Sequence, residues 1–598
     1  MSGNNNIDKM LKSSLSHLEQ KLIGEMQSGF CWRGKLSSSA LSTAVAMFAL
    51  SKVDSRKYSG KINKAASWLL ENVNQDGGWG DTPESPSNIS TTLLAWSALS
   101  LVEKEEPYAK LIERVEQYIK KTTGSLEPAD ISRTVLGHYG KDRTFSVPIL
   151  TMCTLAGRLG DDGSEWNYVI QLPFEMSVLP RSFFRLIGLP VVSYALPALI
   201  AMGMLRHRKA KGNPLMRIIR NMVAGRSLEV LKSTLPSSGG FLEAVPLTGF
   251  VTMSLVAAGC KDESIIGACS GFLEKSFRED GSCPIDTDLA TWLTSLSVKA
   301  LGIESLGAEK SEAITKWLMA QQYRTVHPYT GAAPGGWAWT DLPGGVPDAD
   351  DTSGALIALK LLNPSCDRQS ISAGIGWILD LQNSDGGIPT FCKGWGKLPF
   401  DRSCPEITAH ALEAFSRWRK EVDDSLGRRM DASMVRGLEY LRSSQKADGS
   451  WKPLWFGNQF ATNRENPTYG TSRVLMGLNV LQDPEYKTKT EFMIKNAVAW
   501  LLNAQNQDHG WGGDKGLQSS IEETALAVNA LGGLQERTPE IDEAVMKGAA
   551  RLLEFTDNSD MPPASPIGLY FSMLWYSERL YPLIFTVSAL KVIKGTSK

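Results

Sequence analysis

The sequence lacks a surplus of either charge: 63 Lys and Arg residues face 64 Asp and Glu residues, and the formal net charge is -1. Binding to nucleic acid through its phosphates depends on a basic surface. The charge balance therefore argues against a nucleic-acid partner.

Cysteine is scarce as well. The chain has eight cysteines, no two of which form a CxxC pair. A chain of this size needs no disulfide framework, so a reducing compartment is expected. The opening residues MSGNNNIDKM lack the basic start and the apolar run of a secretory signal, and export by that route is not expected.

One uncharged stretch, Leu186 to Leu205, imitates a membrane span and has basic residues on both sides. Pro190 and Pro197 lie inside it, and each removes a helical hydrogen bond. A straight transmembrane helix is therefore disfavoured.

A repeat runs through the chain. The segment WLLENVNQDGGW at residues 68–79 returns as WLLNAQNQDHGW at 500–511 and as YLRSSQKADGSW at 440–451, with weaker copies at 272–283 and 377–388. In the carboxy-terminal half a glutamine recurs about every sixty residues, at Gln322, Gln382, Gln445 and Gln505. This Gln/Trp pattern is interpreted as architecture rather than chemistry.

Each copy begins as an amphipathic apolar run and then reaches Asp-Gly or Gly-Gly, which suits the left-handed end of a helix. Further helical runs, such as SGALIALKLL after Thr352, lie between the copies. The repeating unit is thus a pair of helices. Stacking such pairs around an axis predicts an all-α fold of toroidal α/α barrels. A chain of 598 residues is too long for one hydrophobic core, so two or more domains are expected.

One short motif points to chemistry. PDADDT at residues 347–352 places Asp348, Asp350 and Asp351 at the start of an apolar helix. Aspartates commonly cap helices and complement the helix dipole, and clustered carboxylates can bind a divalent metal ion. Both of these interpretations stay open beside a catalytic one.

The catalytic interpretation is protonation of an alkene. Alkenes are very weak bases, so the acid must be strong and must still hold its proton at neutral pH. Crowding and burial raise the pKa of one carboxyl in a cluster, while a cationic histidine and the helix amino terminus stabilise the carboxylate left after transfer. Among six histidines, His410 in CPEITAHALEAF is the candidate partner, although such a histidine is usually part of a core.

The DADDT motif, the Gln/Trp repeats and the PEITAH segment together resemble the squalene–hopene cyclases and related class II terpene cyclases, over nearly the whole chain. The resemblance implies an enzyme that folds a linear polyprenoid in a dry pocket and starts its cyclisation with a proton. It implies that Asp350 is the proton donor, that Asp348 and Asp351 tune it, and that His410 hydrogen-bonds to it.

Further positions follow from the same resemblance. Asp286 and Glu406 match supporting acidic residues. Trp339, Phe391 and Trp455 match aromatic side chains that stabilise carbocations without acting as nucleophiles, with core packing as the alternative for each. The segment SPIGLYFSMLWYSERLYP resembles the aromatic-rich segment that closes the family's cavity, but the family's GFPGDFY-like wording is absent. Without individual roles, its candidates are Tyr570, Phe571, Trp575 and Tyr576.

The resemblance also implies an architecture: residues 1–21 pack with the catalytic domain, 22–284 form a second α/α barrel, and 285–598 form the catalytic barrel. It places residues 186–205 in the region associated with monotopic membrane attachment, with a buried helix pair as the alternative. We therefore expect a peripheral or monotopic enzyme on the cytoplasmic side of a membrane, which binds a hydrophobic polyprenoid. Homodimers are frequent in the family. No cofactor is expected, and magnesium would matter only for a diphosphate substrate.

Departures from the family leave the substrate open. Ile285 stands where many squalene cyclases carry a tryptophan, and FATNRENPTYGT replaces a shorter link after Trp455. A class II cyclase of a prenyl diphosphate or of an aryl-polyprene is the alternative enzyme, and a diphosphate would need converging basic residues. A zinc-dependent protein prenyltransferase β subunit and a noncatalytic α/α-toroid that binds a partner are weaker alternatives.

Overall fold

The three-dimensional structure is a computed structural model. The residues that it describes are 2–102, 104, 106–140, 144–179, 196–363, 365–393, 399–556, 563–570 and 574–596. Within them the chain is mostly helical, with four strands of two or three residues. The all-α fold class predicted from the repeats is therefore confirmed.

The amino-terminal half builds a ring of helices. Its helices are α1 (Ser2–Gly24), α2 (Ala40–Asp54), α3 (Ser59–Glu71), α4 (Ile89–Leu99), α5 (Tyr108–Thr123), α6 (Pro128–Tyr139), α7 (Ser146–Leu155), α8 (Leu196–Lys209), α9 (Pro214–Ser233), α10 (Val245–Ala257) and α11 (Glu263–Ser276). In the described residues α2, α4, α7, α8 and α10 pack side by side, and α10 closes the ring against α2. Helices α3, α5, α6, α9 and α11 lie outside them.

The carboxy-terminal half builds a second ring. Its helices are α12 (Ala290–Ala320), α13 (Ala349–Leu362), α14 (Arg368–Leu381), α15 (Pro405–Trp418), α16 (Asp424–Ser444), α17 (Pro467–Asn479), α18 (Pro484–Ala504), α19 (Ile521–Gly532), α20 (Pro539–Thr556) and α21 (Tyr581–Thr596). The inner ring runs α12, α13, α15, α17, α19, α21 and closes from α21 to α12. Helices α14, α16, α18 and α20 lie outside, and α1 packs on α12 and α21.

Position in the ring explains why some helices are apolar on all sides and others are amphipathic. Inner helices touch neighbours on both sides, so α13 is buried along nearly its whole length. Outer helices keep one face in solvent, and α5 buries only Leu111, Val115 and Ile119, which are spaced four residues apart.

The repeat residues tie successive outer helices together. Gln445 Nε2 donates to Gly449 O in its own turn at 2.9 Å and to Met493 O in α18 at 3.0 Å. Trp451 Nε1 donates to Leu441 O at the end of α16 at 2.8 Å. Gly449 has a φ of 97°, a conformation that glycine adopts without strain. The same pair of amide contacts, to its own turn and to the next outer helix, is made by Gln322, Gln382 and Gln505.

Two antiparallel strand pairs join distant segments. β1 (Ser38–Ser39) pairs with β2 (Cys283–Pro284), just before α12, and β3 (Gly568–Tyr570) pairs with β4 (Leu574–Tyr576) just before α21. The domain boundaries at residues 21 and 284 stay a prediction.

The segment predicted to contact a membrane is only partly described. Residues 186–195 lie outside the described residues, and residues 196–205 form most of α8. There, Ile200, Ala201 and Leu205 are fully buried because α8 belongs to the inner ring. None of the helices in the described residues combines the length and the apolar character needed to cross a membrane.

Candidate active site

The DADDT motif forms the first turn of α13. Asp348 is the residue before the helix, and its Oδ1 accepts a hydrogen bond from Asp351 N at 2.8 Å. Asp348 N donates to Trp337 O at 3.0 Å, and Trp337 N donates to Thr352 Oγ1 at 2.9 Å. Helix capping therefore accounts for Asp348 and leaves the side chain of Asp350 outside the cap.

Asp350 meets His410, which lies on the neighbouring inner helix α15. His410 Nδ1 and Asp350 Oδ1 are 2.6 Å apart. The side chains of His410 and Asp350 are 4% and 18% exposed. Among the described residues, no donor or acceptor lies within hydrogen-bond distance of Asp350 Oδ2. One carboxyl oxygen is thus held by the histidine, and the other can meet a bound molecule.

Burial and the charges around the motif shift the pKa values of the three aspartates in different directions. Burial raises the pKa of Asp350, but the charge and hydrogen bond of His410, with the charges of Arg473 and Lys299, outweigh it and hold this pKa below its usual range. Burial raises the pKa of Asp348 to about 7, assisted by the nearby Asp350 and opposed by hydrogen bonds from Asp351. Burial and the charge of Asp348 raise the pKa of Asp351 well above its usual value.

An aromatic pocket of about 110 Å³ opens beside Asp350. The ring centroids of Trp339 and Phe391 are 6.3 Å apart, those of Phe391 and Trp455 are also 6.3 Å apart, and both pairs meet edge to face. The pocket lining is Leu289, Trp292, Trp339, Asp348, Asp350, Asp351, Thr390, Phe391, Trp455, Phe456, Leu569 and Tyr576.

A second cavity, which is apolar, lies between the two rings. Phe145, Met202 and Phe250 line it from the first ring, and Ile285 and Leu574 line it from the second half. Among the described residues that line these two cavities, none is lysine or arginine.

Comparison with known proteins identifies the family. The model of the squalene–hopene cyclase N-terminal domain matches residues 15–218, and that of the squalene–hopene cyclase C-terminal domain matches residues 289–529.

The chain belongs to the squalene–hopene cyclase family. It is similar to squalene hopane cyclase afumA of Aspergillus fumigatus, with 24% identity over 80% of this chain and 75% of the relative. It is also similar to copalyl diphosphate synthase of Streptomyces cyslabdanicus, with 25% identity over 86% of this chain and 84% of the relative. Its homologues are class II terpene cyclases, and so is this enzyme.

A solved structure shows the same fold. The ent-copalyl diphosphate synthase from Streptomyces platensis aligns with a TM-score of 0.61 at 18% identity, over 98% of this chain and 99% of that one. At this identity the likeness concerns the fold alone.

The remaining candidates of this squalene–hopene cyclase family member lie in different places. Glu406, one turn before His410, accepts a hydrogen bond from Leu454 N at 2.7 Å, and burial raises its pKa to about 7. Asp286 is buried in a bridge to Ala244 and does not line the aromatic pocket.

The aromatic candidates near the carboxy terminus divide in the same way. Neighbouring strand residues point to opposite faces, so Tyr576 lines the aromatic pocket whereas Trp575 lines a polar pocket that contains Asp81. Phe571 and the side chain of Tyr570 lie outside the described residues.

Sequence analysis missed two aromatic residues of this pocket in the squalene–hopene cyclase fold. Trp292 lies near the start of α12, and its ring meets the His410 ring edge to face at 6.2 Å. Phe456 stacks on Tyr469 with ring centroids 3.9 Å apart. An aromatic residue in an apolar run carries no sequence signal that separates pocket from core. No group of three or more His, Cys, Asp or Glu side chains in the described part of the chain is arranged to hold a metal ion.

Proposed function

We propose that this enzyme cyclises a linear, uncharged polyprenoid such as squalene, and that Asp350 donates the initiating proton. One observation carries the proposal: a single carboxyl group binds a buried histidine through Oδ1 and lines an aromatic pocket with Oδ2 unbound by any described residue. General acid catalysis requires this geometry, with the acidic oxygen on the substrate side.

The proton transfer needs no reactant other than the acid and the double bond. The reaction starts from the protonated form of Asp350, which its lowered pKa makes a stronger acid. The proton on Asp350 Oδ2 moves to one carbon of the terminal double bond, a C–H bond forms from the π electrons, and a tertiary carbocation and an aspartate carboxylate remain. The hydrogen bond from His410 Nδ1–H to Oδ1 and the amino terminus of α13 stabilise that carboxylate. Burial raises the pKa of Asp348 to about 7 and that of Asp351 well above its usual value, which limits the repulsion that a new negative charge would meet.

The carbocation then meets aromatic faces rather than nucleophiles. Trp339, Phe391 and Trp455 form a connected row along the pocket. Their electron-rich faces attract positive charge, and in a pocket without water this attraction is strong. Successive double bonds add to the cation until a proton is lost or water adds, which ends the reaction.

The proposed substrate is chosen from the charge of the side chains that line the aromatic pocket and the second cavity. The two described cavities carry no basic side chain, which favours an uncharged polyprene. A prenyl diphosphate or an aryl-polyprene remains the alternative substrate, since the similar proteins include a copalyl diphosphate synthase. No cofactor is proposed, and magnesium would be relevant only to a diphosphate.

The deciding experiment compares the wild type with Asp350→Asn in detergent and deuterated water. Squalene, prenyl diphosphates and aryl-polyprenes are supplied separately. We expect squalene to be cyclised with one deuterium at the initiating end, and Asp350→Asn to lose this activity by several orders of magnitude while staying folded. Asp367→Asn is the matched control, because Asp367 caps α14 in the same ring away from the pocket. Product without deuterium, or near-normal cyclisation by Asp350→Asn, contradicts the proposal.

We also propose peripheral attachment to the cytoplasmic surface of a membrane, through α9 rather than through the buried part of α8. Leu215, Ile218 and Met222 are 66%, 58% and 72% exposed. Their spacing places them on one face of α9. Exposed basic residues on or before this helix include Lys209, Lys211, Arg217 and Arg226. An apolar helix face beside basic residues suits an anionic lipid surface.

A further inference from the structure

Arg473 is a buried cation that forms no ion pair with any described residue, although the charges of Asp350, Glu413 and Glu406 raise its pKa. It lies on inner helix α17 and is 8% exposed. Among the described residues it has no ion pair and no hydrogen-bond partner, and its guanidinium lies 5.9 Å from the ring centroid of Trp292. Burying an unpaired charge costs several kcal/mol, on the order of the stability of many domains. Such a residue needs an explanation other than stability.

Trp292 connects Arg473 with the catalytic pair. Its ring contacts the Arg473 guanidinium and also meets the His410 ring, whose Nδ1 lies 2.6 Å from Asp350 Oδ1. Arg473, Trp292, His410 and Asp350 therefore form a continuous row from α17 to α13.

The other buried cations nearby are already paired. Lys299 Nζ lies 2.5 Å from Glu413 Oε2, and Arg417 lies 2.9 Å from Glu413 Oε1. Glu413 is one turn after His410 on α15 and faces these two bases. It offsets part of their charge, whereas no carboxylate in the described part of the chain forms an ion pair with Arg473.

We infer that Arg473 is a positioning residue for the proton transfer: its buried charge stabilises the Asp350 carboxylate that forms when the proton leaves. The inference rests on the proposed function and deepens it. No additional bond changes; Arg473 acts only through its charge and its contact with Trp292. In a site from which water is excluded, such a fixed charge acts strongly on a developing anion.

The groups that face Asp350 come from several elements. On its own helix they are Asp348 and Asp351, and β4 contributes Tyr576 to the same pocket. From α12, α15 and α17 they are Lys299, Glu406, His410, Tyr469 and Arg473, with Cys404 just before α15. After burial and the two contributions of His410, the charge of Arg473 is the next influence on the pKa of Asp350, and it lowers this pKa.

Arg473→Met tests the inference, because methionine keeps apolar contact with Trp292 and removes only the charge. Two features of its pH–rate profile for squalene cyclisation should change: the pH at which the rate falls and the rate at the plateau. The fall in rate on the alkaline side should move up by about one pH unit, since Asp350 keeps its proton longer, and the plateau at low pH should drop about tenfold, since the acid is weaker. Arg473→Lys keeps the charge. It should restore most of the wild-type plateau rate and bring the alkaline fall back close to its wild-type pH.

Arg158→Met is the matched control. Arg158 lies over Trp96 in the first ring at 4.5 Å, so this variant loses the same kind of contact away from the acid. It should keep the wild-type profile. If Arg473→Met lowers the rate equally at every pH, or if Arg473→Lys behaves like Arg473→Met, Arg473 has only a structural role.

The outcomes separate the two proposals. Suppose that Arg473→Met lowers the rate equally at every pH, while the wild type gives deuterated product and Asp350→Asn is inactive. This result overturns only the role of Arg473. An active Asp350→Asn overturns the proposed function itself.

Discussion

His410 Nδ1 lies 2.6 Å from Asp350 Oδ1, although sixty positions separate the two residues in the chain. They stand on α15 and α13, which are neighbours in the inner ring and are separated in the chain by the outer helix α14. One repeat of the Gln/Trp pattern is about sixty residues long in this half. The repeat that builds the ring therefore also brings the acid and its histidine partner together.

His410→Ala should slow cyclisation about a hundredfold, less than Asp350→Asn, because the histidine polarises and orients the acid without donating the proton to the substrate. Initial rates with squalene and the deuterium content of the product measure this. The product should keep its label and its skeleton. A loss as complete as that of Asp350→Asn would show that His410 itself transfers the proton.

Trp339→Ala should release products that stop after fewer rings, because the cation loses an aromatic face in the pocket. Chromatography with mass spectrometry of the product mixture is the measurement. Trp337→Phe is the control: Trp337 is fully buried, and its Nε1 bonds Leu318 O at 2.7 Å, so the variant should lose stability and keep its product profile. A slower Trp339→Ala enzyme with unchanged products would indicate packing instead.

The membrane proposal predicts that replacing Leu215, Ile218 and Met222 together by Glu releases the enzyme from vesicles that contain anionic lipid. Glutamate favours helix, so α9 should persist. Co-sedimentation with vesicles measures the bound fraction, and circular dichroism checks the fold. Phe492→Glu is the control, since Phe492 is 69% exposed on α18 in the other ring. Equal binding of the triple variant and the wild type would exclude α9 as the contact.

How far the sequence predicts the molecule depends on whether a feature is local. The all-α rings follow from the period of Gln322, Gln382, Gln445 and Gln505, because each glutamine contacts its own turn and the next outer helix. The position of Asp348 before α13 follows in the same way from a short motif.

Features that depend on ring closure cannot be predicted from a local motif or from the repeat. Arg473 in GTSRVL looks like an exposed helix residue, and only closure of the inner ring buries it. Residues 196–205, the described part of the apolar stretch, look like a membrane contact, yet they lie in an inner helix, which is apolar on all sides for reasons of packing. Trp292 likewise becomes a pocket residue only because α12 meets α13.

The last prediction concerns stability and pH. Burial raises the pKa of Glu522 and Glu578 to about 7 and, with the charge of Glu522, that of Glu523 to about 8, and Asp348 and Glu406 are raised to about 7 in the same way. In the unfolded chain these carboxyls ionise near their ordinary values, so between those values and about 7 to 8 only the folded protein holds the protons. Each such group lowers the unfolding free energy by about 1.4 kcal/mol per pH unit in that interval.

In the upper part of this interval, from about pH 6.5 to about 8, the melting temperature should therefore fall as pH rises. Calorimetry across this range measures the slope. Glu523→Gln removes the group with the highest of these pKa values and should flatten the curve, whereas Asp367→Asn, at an exposed helix cap, should leave the slope unchanged. A melting temperature that rises with pH in this range would mean that these carboxylates are ionised in the folded enzyme.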